Sequence, residues 1–374
     1  MQKRLLLIGG GHSHIEVIRR FGLDPEPGVA LTLVSPHRHT AYSGMLPGYI
    51  AGHYRFGDCH IDLDALCRQA GADRIEAAAG SLDLAKRVAR CGAGTEQFFD
   101  VLSIDAGSVP VLAPIPGADR HGIAIKPVAQ FLQRWAVLLA TARKAATDMQ
   151  IAIVGAGTAG IEVALAMQHR IRNEGGRARF TVIGDGPVIL AAHPRGVQRR
   201  FAAIMATRGI ALRLNTRVQA AEPGALVLPG NERLAADEII WMTGAAAPAW
   251  PRVSGLQTDA DGFIAVDRHL QSLSHAAVFA AGDVASMQHA PRPKSGVYAV
   301  RQGPPLAENL RRALRGALLI EYHPQARALA LISTGDRHAV ASYGPFVFGG
   351  AWVWRWKNYI DMAFMRRYRV GKSL

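Results

Sequence analysis

Two stretches of this chain repeat one pattern. Residues 8–17 read Ile-Gly-Gly-Gly-His-Ser-His-Ile-Glu-Val, and residues 154–163 read Val-Gly-Ala-Gly-Thr-Ala-Gly-Ile-Glu-Val. Each follows a short apolar run (Leu5-Leu6-Leu7 and Ile151-Ala152-Ile153) and opens an amphipathic helical stretch. The pattern predicts a strand, a glycine turn and a helix N-terminus, which together aim backbone N–H groups and the positive end of the helix dipole at a pyrophosphate. A second apolar strand follows each copy at a similar distance, Leu31-Thr32-Leu33-Val34 and Phe180-Thr181-Val182-Ile183. That completes a strand–helix–strand unit. One such turn is weak evidence, since Gly-x-Gly-x-x-Gly arises by chance. Two in one chain predict two dinucleotides, and two dinucleotides facing each other predict hydride transfer between them.

Both copies depart from the ideal. The first has Gly9 and Gly11, then His12 and Ser13, and carries His14 at the third glycine position. That glycine normally brings the helix close to the strand, so a slight outward shift of the helix is expected. Ser35 stands at the end of the second strand, where an acid would bind a ribose. The second copy keeps Gly155, Gly157 and Gly160, with Thr158 between them, and has Asp185 just beyond its second strand. An acid there favours NAD, whereas Arg177 and Arg179 leave NADP open.

With 374 residues the chain accommodates two domains and an extra segment, and 49% hydrophobic residues suit a packed α/β protein. No run approaches the roughly 18 apolar residues of a membrane-spanning helix. Met1-Gln2-Lys3-Arg4 and the following apolar run read as a first strand rather than a signal peptide, which predicts a cytoplasmic protein. Forty-three Lys and Arg against 29 Asp and Glu give a formal charge of +14. A basic surface attracts nucleic acid, anionic lipid or anionic cofactors. No nucleic-acid motif is present, so nucleic acid is not an expected partner, and the basic residues are densest from Arg355 onward. Cys59, Cys67 and Cys91 form neither Cys-x-x-Cys nor Cys-x-x-x-x-Cys, which predicts no redox-active disulfide. His12, His14, His37 and His39 make two His-x-His pairs, but a pyrophosphate claims that space and no set of three or four ligands is evident. No metal is expected.

Short buried strands are predicted at 5–8, 31–34, 101–104, 151–154, 180–183, 239–242 and 278–281, and helices near 13–21, 127–146, 160–173 and 195–208. Gly/Pro-rich joints at 107–117 and 244–251 bracket the second nucleotide unit, so the second domain reads as inserted in the first. The expected organisation is 1–115 and 253–315 for one domain, 116–252 for the other, and 316–374 for a small C-terminal segment. The fold class is α/β with two Rossmann-like nucleotide-binding domains.

Four ordered motifs carry a family resemblance: the first glycine turn; Asp100 to Pro110, with Asp105-Ala106-Gly107-Ser108; Asp237 to Gly244; and Val278-Phe279-Ala280-Ala281-Gly282-Asp283. Over residues 1–315 at least, the chain resembles the two-dinucleotide-binding flavoproteins of the pyridine nucleotide-disulfide reductase superfamily. Asp105 and Ala106 replace the usual Ala-Thr of that family. Within it, Tyr42 to Gly52, with its Leu46-Pro47, resembles the flavin loop of type II NADH dehydrogenases and sulfide:quinone reductases, and Leu331 to Ala341 resembles the former. His12-Ser13-His14, Tyr42 to Pro47, His60 to Leu63 and Val300 to Asn309 are similar to the branch found fused to selenophosphate synthetase, which ties the chain to selenium metabolism by association only.

The resemblance implies FAD in the first cradle and NAD(P)H in the second. It implies FAD or nucleotide contacts at Gly9, Gly11, His12, Ser13, His14, Ser35, Pro47, Ala106, Gly107, Gly155, Gly157, Thr158, Gly160, Asp185, Gly244, Gly282, Asp283 and Val297, with Asp283 on a ribityl hydroxyl. It places Glu162 near the nicotinamide and the flavin, although an acid there also stabilises a helix dipole. Lys294 to Gly303 reads as the start of a helix aimed at the flavin, which Pro304 and Pro305 should break. Type II dehydrogenases carry glutamine where this chain has Val297, and Lys294, Tyr298 and Gln302 are candidates for the acceptor side. The expected activity is FAD-dependent transfer from NAD(P)H to a quinone or small acceptor, the alternative being a sulfur- or selenium-handling flavoenzyme, and a third reading a flavin-binding scaffold. Residues 346–368, rich in Phe, Trp, Tyr, Arg and Lys, read either as a segment at the inner face of the membrane or as a tail packed on the body or on a second subunit.

Overall fold

The computed structural model describes residues 2–112 and 114–369. The first strand, β1 (Lys3–Ile8), leads into helix α1 (His12–Leu23) and strand β2 (Val29–Val34). Leu5, Leu6, Leu7 and Ile8 are all at most 3% exposed, so β1 is covered on both faces, as its unbroken apolar run requires. Strand β3 (Val101–Ile104) pairs with β1 on the other side.

The second unit repeats this arrangement. After helix α2 (Val128–Lys144) come strand β4 (Met149–Val154), helix α3 (Thr158–Asn173), strand β5 (Ala178–Ile183) and strand β6 (Glu238–Trp241). Its parallel sheet has the order Ile123–Ala124, β6, β4, β5, Ala211–Arg213. The chain then returns to the first sheet with strand β7 (Val278–Ala280), which lies parallel beside β3. That sheet has the order β7, β3, β1, β2, Asp73–Ile75. The two sheets therefore match strand for strand around β1 and β4, and in both the glycine turn leaves the central strand at its carboxyl end.

Helix α4 (Gly296–Arg315) packs its buried face, including Tyr298, Gln302, Leu306 and Leu310, close to α1. It runs straight through Pro304 and Pro305, which corrects the expected break. Each interior proline costs about 3 kcal/mol through a lost N–H bond and a ring clash. Burial of a whole helical face outweighs that cost. The approach is close: a methyl on Gly303 would stand 2.7 Å from Cβ of Glu16 on α1.

The C-terminal segment is more ordered than a tail. Strands β8 (Ala330–Ser333), β9 (Ala339–Tyr343) and β10 (Phe346–Gly350) form an antiparallel sheet, and helix α5 (Ala351–Arg366) folds back across it. Val353 of α5 closes a small core with Ala339 and Ala341.

Candidate active site

The first glycine turn begins at Gly9, whose φ of +95° and 2.3 Å clearance from the Asp105 carbonyl exclude any side chain. Gly11 is the N-cap of α1. His14 fills the gap left by the missing third glycine. Its Nδ1 donates to the Gly9 carbonyl at 2.6 Å, so its Nε2 accepts from the Ser103 hydroxyl at 2.8 Å. Burial lowers the His14 pKa to about 4 and keeps the ring neutral. Ser13 Oγ donates to the Ala299 carbonyl at 2.7 Å, tying α1 to α4. His12 points toward the loop after β2, where its Nε2 accepts from Ser43 N at 3.5 Å and its ring meets Tyr42 edge-on at 5.6 Å. Burial lowers His12 to about 4 as well.

Around this turn stand the other residues expected at the flavin. Ser35 is buried at the end of β2, with Oγ on the His37 carbonyl at 3.3 Å. Pro47 is buried in the short helix Leu46–Ile50. Ala106 is exposed, and Gly107 (φ +72°) has no atom within 4 Å of a Cβ position, so space lies open beside the turn. Gly282 and Asp283 follow β7. Asp283 accepts from Lys126 Nζ at 2.9 Å and from Ser108 Oγ at 3.2 Å. Val297 sits in the first turn of α4, and a Cβ on the adjacent Gly296 would be 2.6 Å from Ser43 Oγ. Tyr298 and Gln302 are buried on α4, and Gln302 Oε1 accepts from Gly282 N at 2.6 Å. Lys294 is engaged within the protein: its Nζ donates to the Ala285 carbonyl at 2.5 Å and lies 3.8 Å over the Phe263 ring.

In the second turn, Gly155 (φ +128°) approaches the Met242 carbonyl, and a Cβ on Gly160 would be 1.9 Å from the Gly155 carbonyl. Gly157, the N-cap of α3, has open space where a side chain would point, and no acidic residue lies in the first turn. A diphosphate fits such a terminus. Thr158 Oγ1 and His193 Nε2 share a hydrogen bond at 2.9 Å, and burial lowers the His193 pKa. Asp185 and Gly244 are exposed at the mouth. Arg177 and Arg179 stand at the opposite end of β5, bonded to the Ala146 carbonyl and the Asp148 carboxylate, away from Asp185.

Glu162 ties the second nucleotide unit to the C-terminal sheet. It lies one turn into α3, and its Oε1 accepts from Ser333 N of β8 at 2.6 Å. Burial pushes its pKa up to about 7, against the pull of Lys357 and the Ser333 N–H. Lys357 comes from α5. Its Nζ donates to the Gly44 carbonyl of the 42–52 loop and to Asp361 Oδ2, both at 2.5 Å. Tyr42 stacks on Phe364 at 4.3 Å, and its hydroxyl meets Asp361. Contacts therefore run from α1 through His12 and the 42–44 loop to Lys357 on α5, and the charge of Lys357 acts on Glu162 of α3. Lys357 and Asp361 were hidden in the aromatic tail, and only their i, i+4 spacing signals a pair. Lys126, His193 and Ser333 carry no signal in the sequence, because distant strands and loops bring them in.

Cys59, Cys67 and Cys91 are each 1% exposed and lie in the core of the first unit. Burial pushes the thiols of Cys59 and Cys67 up to about 12. Among the described residues no group of three His, Cys, Asp or Glu side chains is placed to hold a metal, and no helix is long and apolar enough to cross a membrane.

Two glycine turns at matching places in two parallel sheets define a two-dinucleotide oxidoreductase fold. The match to a family model fixes the group: residues 3–303 fit the pyridine nucleotide-disulphide oxidoreductase model, and the chain belongs to that family. It is similar to an NADH dehydrogenase-like protein of Mycobacterium tuberculosis, 27% identical over 61% of this chain and 59% of the relative. The chain thus spans about three-fifths of that protein's length. A type II NADH:quinone oxidoreductase of Staphylococcus aureus is 21% identical over 86% of this chain and 85% of the relative. The sulfide:quinone oxidoreductase of Aquifex aeolicus has the same fold, with a TM-score of 0.81 at 19% identity, covering 99% of this chain and 93% of that one.

Proposed function

We propose that this protein is an FAD-dependent NAD(P)H oxidoreductase of the type II NADH dehydrogenase kind, which takes two electrons from NADH and passes them to a quinone. The observation that carries the reading is the pair of matching glycine turns, with Glu162 buried on α3 against Ser333 of β8 and Lys357 of α5 bonded to Gly44. FAD held at Gly9, Gly11, Gly107 and Asp283 supplies a ring able to accept a hydride and pass its electrons on. Gly155, Gly157 and Gly160 hold the nicotinamide nucleotide at α3. Asp185 at the mouth, with Arg177 and Arg179 at the far end of β5, supports NADH over NADPH. Reduction of a quinone by NADH consumes one proton from water. Glu162, with a pKa of about 7, holds a proton at Oε1 or Oε2 and returns it at neutral pH. Segments 1–115 and 253–315 serve the flavin, 116–252 the nicotinamide and 316–374 the acceptor side. The alternative, a sulfur- or selenium-handling flavoenzyme, is compatible with the fold shared with a sulfide:quinone oxidoreductase, and the burial of all three cysteines in the core favours the quinone reading over it.

The acceptor side also meets a lipid surface in this reading. Trp352, Trp356, Tyr359 and Ile360 on the outer face of α5, with Phe346 and Phe348 before it, are 38–67% exposed, and Arg355 and Arg366 flank them. Aromatic rings with arginines suit the interface of an anionic bilayer, where a quinone is dissolved. A homodimer through the same face is the competing use. Anaerobic titration of the purified protein tests the core of the proposal. Bleaching of a bound flavin by NADH, and its recovery on adding a soluble quinone, is the expected result. A protein without flavin, or one whose flavin neither NADH nor NADPH bleaches, overturns it.

A further inference from the structure

Asp105 stands where the resembling flavoproteins carry alanine. Its carboxyl group is 3% exposed and lies across the N-terminus of α1, with Oδ2 accepting from Ser13 N at 2.9 Å and from His14 N at 3.2 Å. A methyl on Gly11 would stand 2.2 Å from its Cγ and Oδ1, and one on Gly282 would stand 2.2 Å from its Oδ1. Two glycines that the motifs reserve for a nucleotide therefore also make room for this side chain. The helix terminus that attracts a diphosphate already holds an acid of the protein's own.

The groups facing Asp105 leave it without a cation of its own. From α1 it meets the neutral His14, from β3 the Ser103 hydroxyl bonded to His14, and from the turn after β7 Asp283, whose charge Lys126 shares at 2.9 Å. Helix α4 places only Ala299 and the neutral Gln302 amide beside Gly282. Burial pushes the Asp105 pKa up to about 7; the two N–H donors oppose that rise and Asp283 adds to it.

We propose that Asp105 governs FAD retention through its proton: as an acid it shares the α1 terminus with the diphosphate and donates a hydrogen bond to it, and as a carboxylate it repels it. The inference rests on the FAD site proposed above. The diphosphate dianion raises the proton affinity of Asp105, so the bound-state pKa exceeds the free value. Affinity for FAD is then full below the free value and falls as pH rises through it, by up to tenfold per pH unit, with one proton taken up per FAD. His12 and His14 titrate near 4, below this window.

Equilibrium dialysis of the flavin-loaded protein between pH 6 and pH 9, read by the fluorescence of released FAD, tests it. The expected result is a Kd that is level up to about pH 7 and climbs about tenfold per unit above it, while Asp105→Asn holds FAD with one affinity throughout. A level wild-type profile, or a variant profile parallel to the wild type, overturns the inference and leaves the flavoprotein reading intact. If the variant does not fold, titration calorimetry of FAD into the wild-type protein in buffers of different ionisation enthalpy decides: uptake of about one proton at pH 8 supports the inference, and no uptake overturns it. A protein that holds no FAD at any pH overturns the functional reading and this inference together.

Discussion

Glu162 is the residue on which the chemistry turns. It lies one turn into α3, two residues past Gly160, yet its surroundings come from 170 and more residues further on: Ser333 donates to it and the charge of Lys357 acts on it. The glycine pattern made its position legible, whereas its partners were not, because side chains from a separate antiparallel sheet and its helix assemble only in three dimensions. A raised pKa means that the acid form prevails below about pH 7 and is lost above it. Turnover with a quinone should therefore fall as pH rises through 7. Glu162→Gln should lower kcat by about 100-fold and erase that pH dependence, with flavin content unchanged. Stopped-flow measurement of flavin reduction by NADH, alongside steady-state quinone reduction, separates loss of the proton from loss of nicotinamide alignment. His14 teaches the opposite lesson. A histidine at a glycine position looked like a defect, but its two ring nitrogens close bonds to Gly9 and Ser103 that a glycine could not make.

At the scale of elements, the strands around each glycine turn were readable because a buried parallel strand is an unbroken apolar run, and helix α3 because its first turn carries the motif. Helix α4 was misread at Pro304 and Pro305, since local propensity points to a break and only packing against α1 restores the helix. The close fit of α3 on its strand predicts a sharp sensitivity. Gly160→Ala pushes a methyl into the Gly155 carbonyl. It should cost about 2 kcal/mol of stability and weaken NADH binding, seen as a lower Tm and a higher Kd for NADH. Helix α5 carries a different risk. Lys357 and Asp361 are a buried pair, 10% and 6% exposed, and burial pushes the Asp361 carboxyl up even against the pull of Lys357. Lys357→Met should destabilise the protein by about 3 kcal/mol, while Lys357→Met with Asp361→Leu should regain most of that. Urea unfolding of both variants checks the pair.

At the scale of the whole molecule, the aromatic side of α5 and β10 departs from an ordinary polar surface. Its composition was legible, but its folding was not: a sheet and a helix replace the tail, and their inner faces pack on the body while the rings named above point outward. The double substitution Trp352→Glu and Trp356→Glu should reduce sedimentation with vesicles containing anionic lipid by at least about tenfold, two buried rings at an interface being worth several kcal/mol, with reduction of a water-soluble quinone unaffected. Unchanged vesicle binding combined with a change from dimer to monomer on size exclusion would assign that face to a second copy instead.

The order of strands in the first sheet has a consequence for synthesis. Strand β3 (ending at Ile104) waits for β7, which starts 174 residues later at Val278, while every strand of the second sheet lies between residues 123 and 241. On the ribosome the middle lobe can close before the outer one, and the emerging amino-terminal sheet presents the open edge of β3 until residue 280 has left the exit tunnel. Through that interval the unpaired edge of β3 is open to pairing with another chain, and slow codons placed before β7 would lengthen that exposure to neighbours on the same messenger.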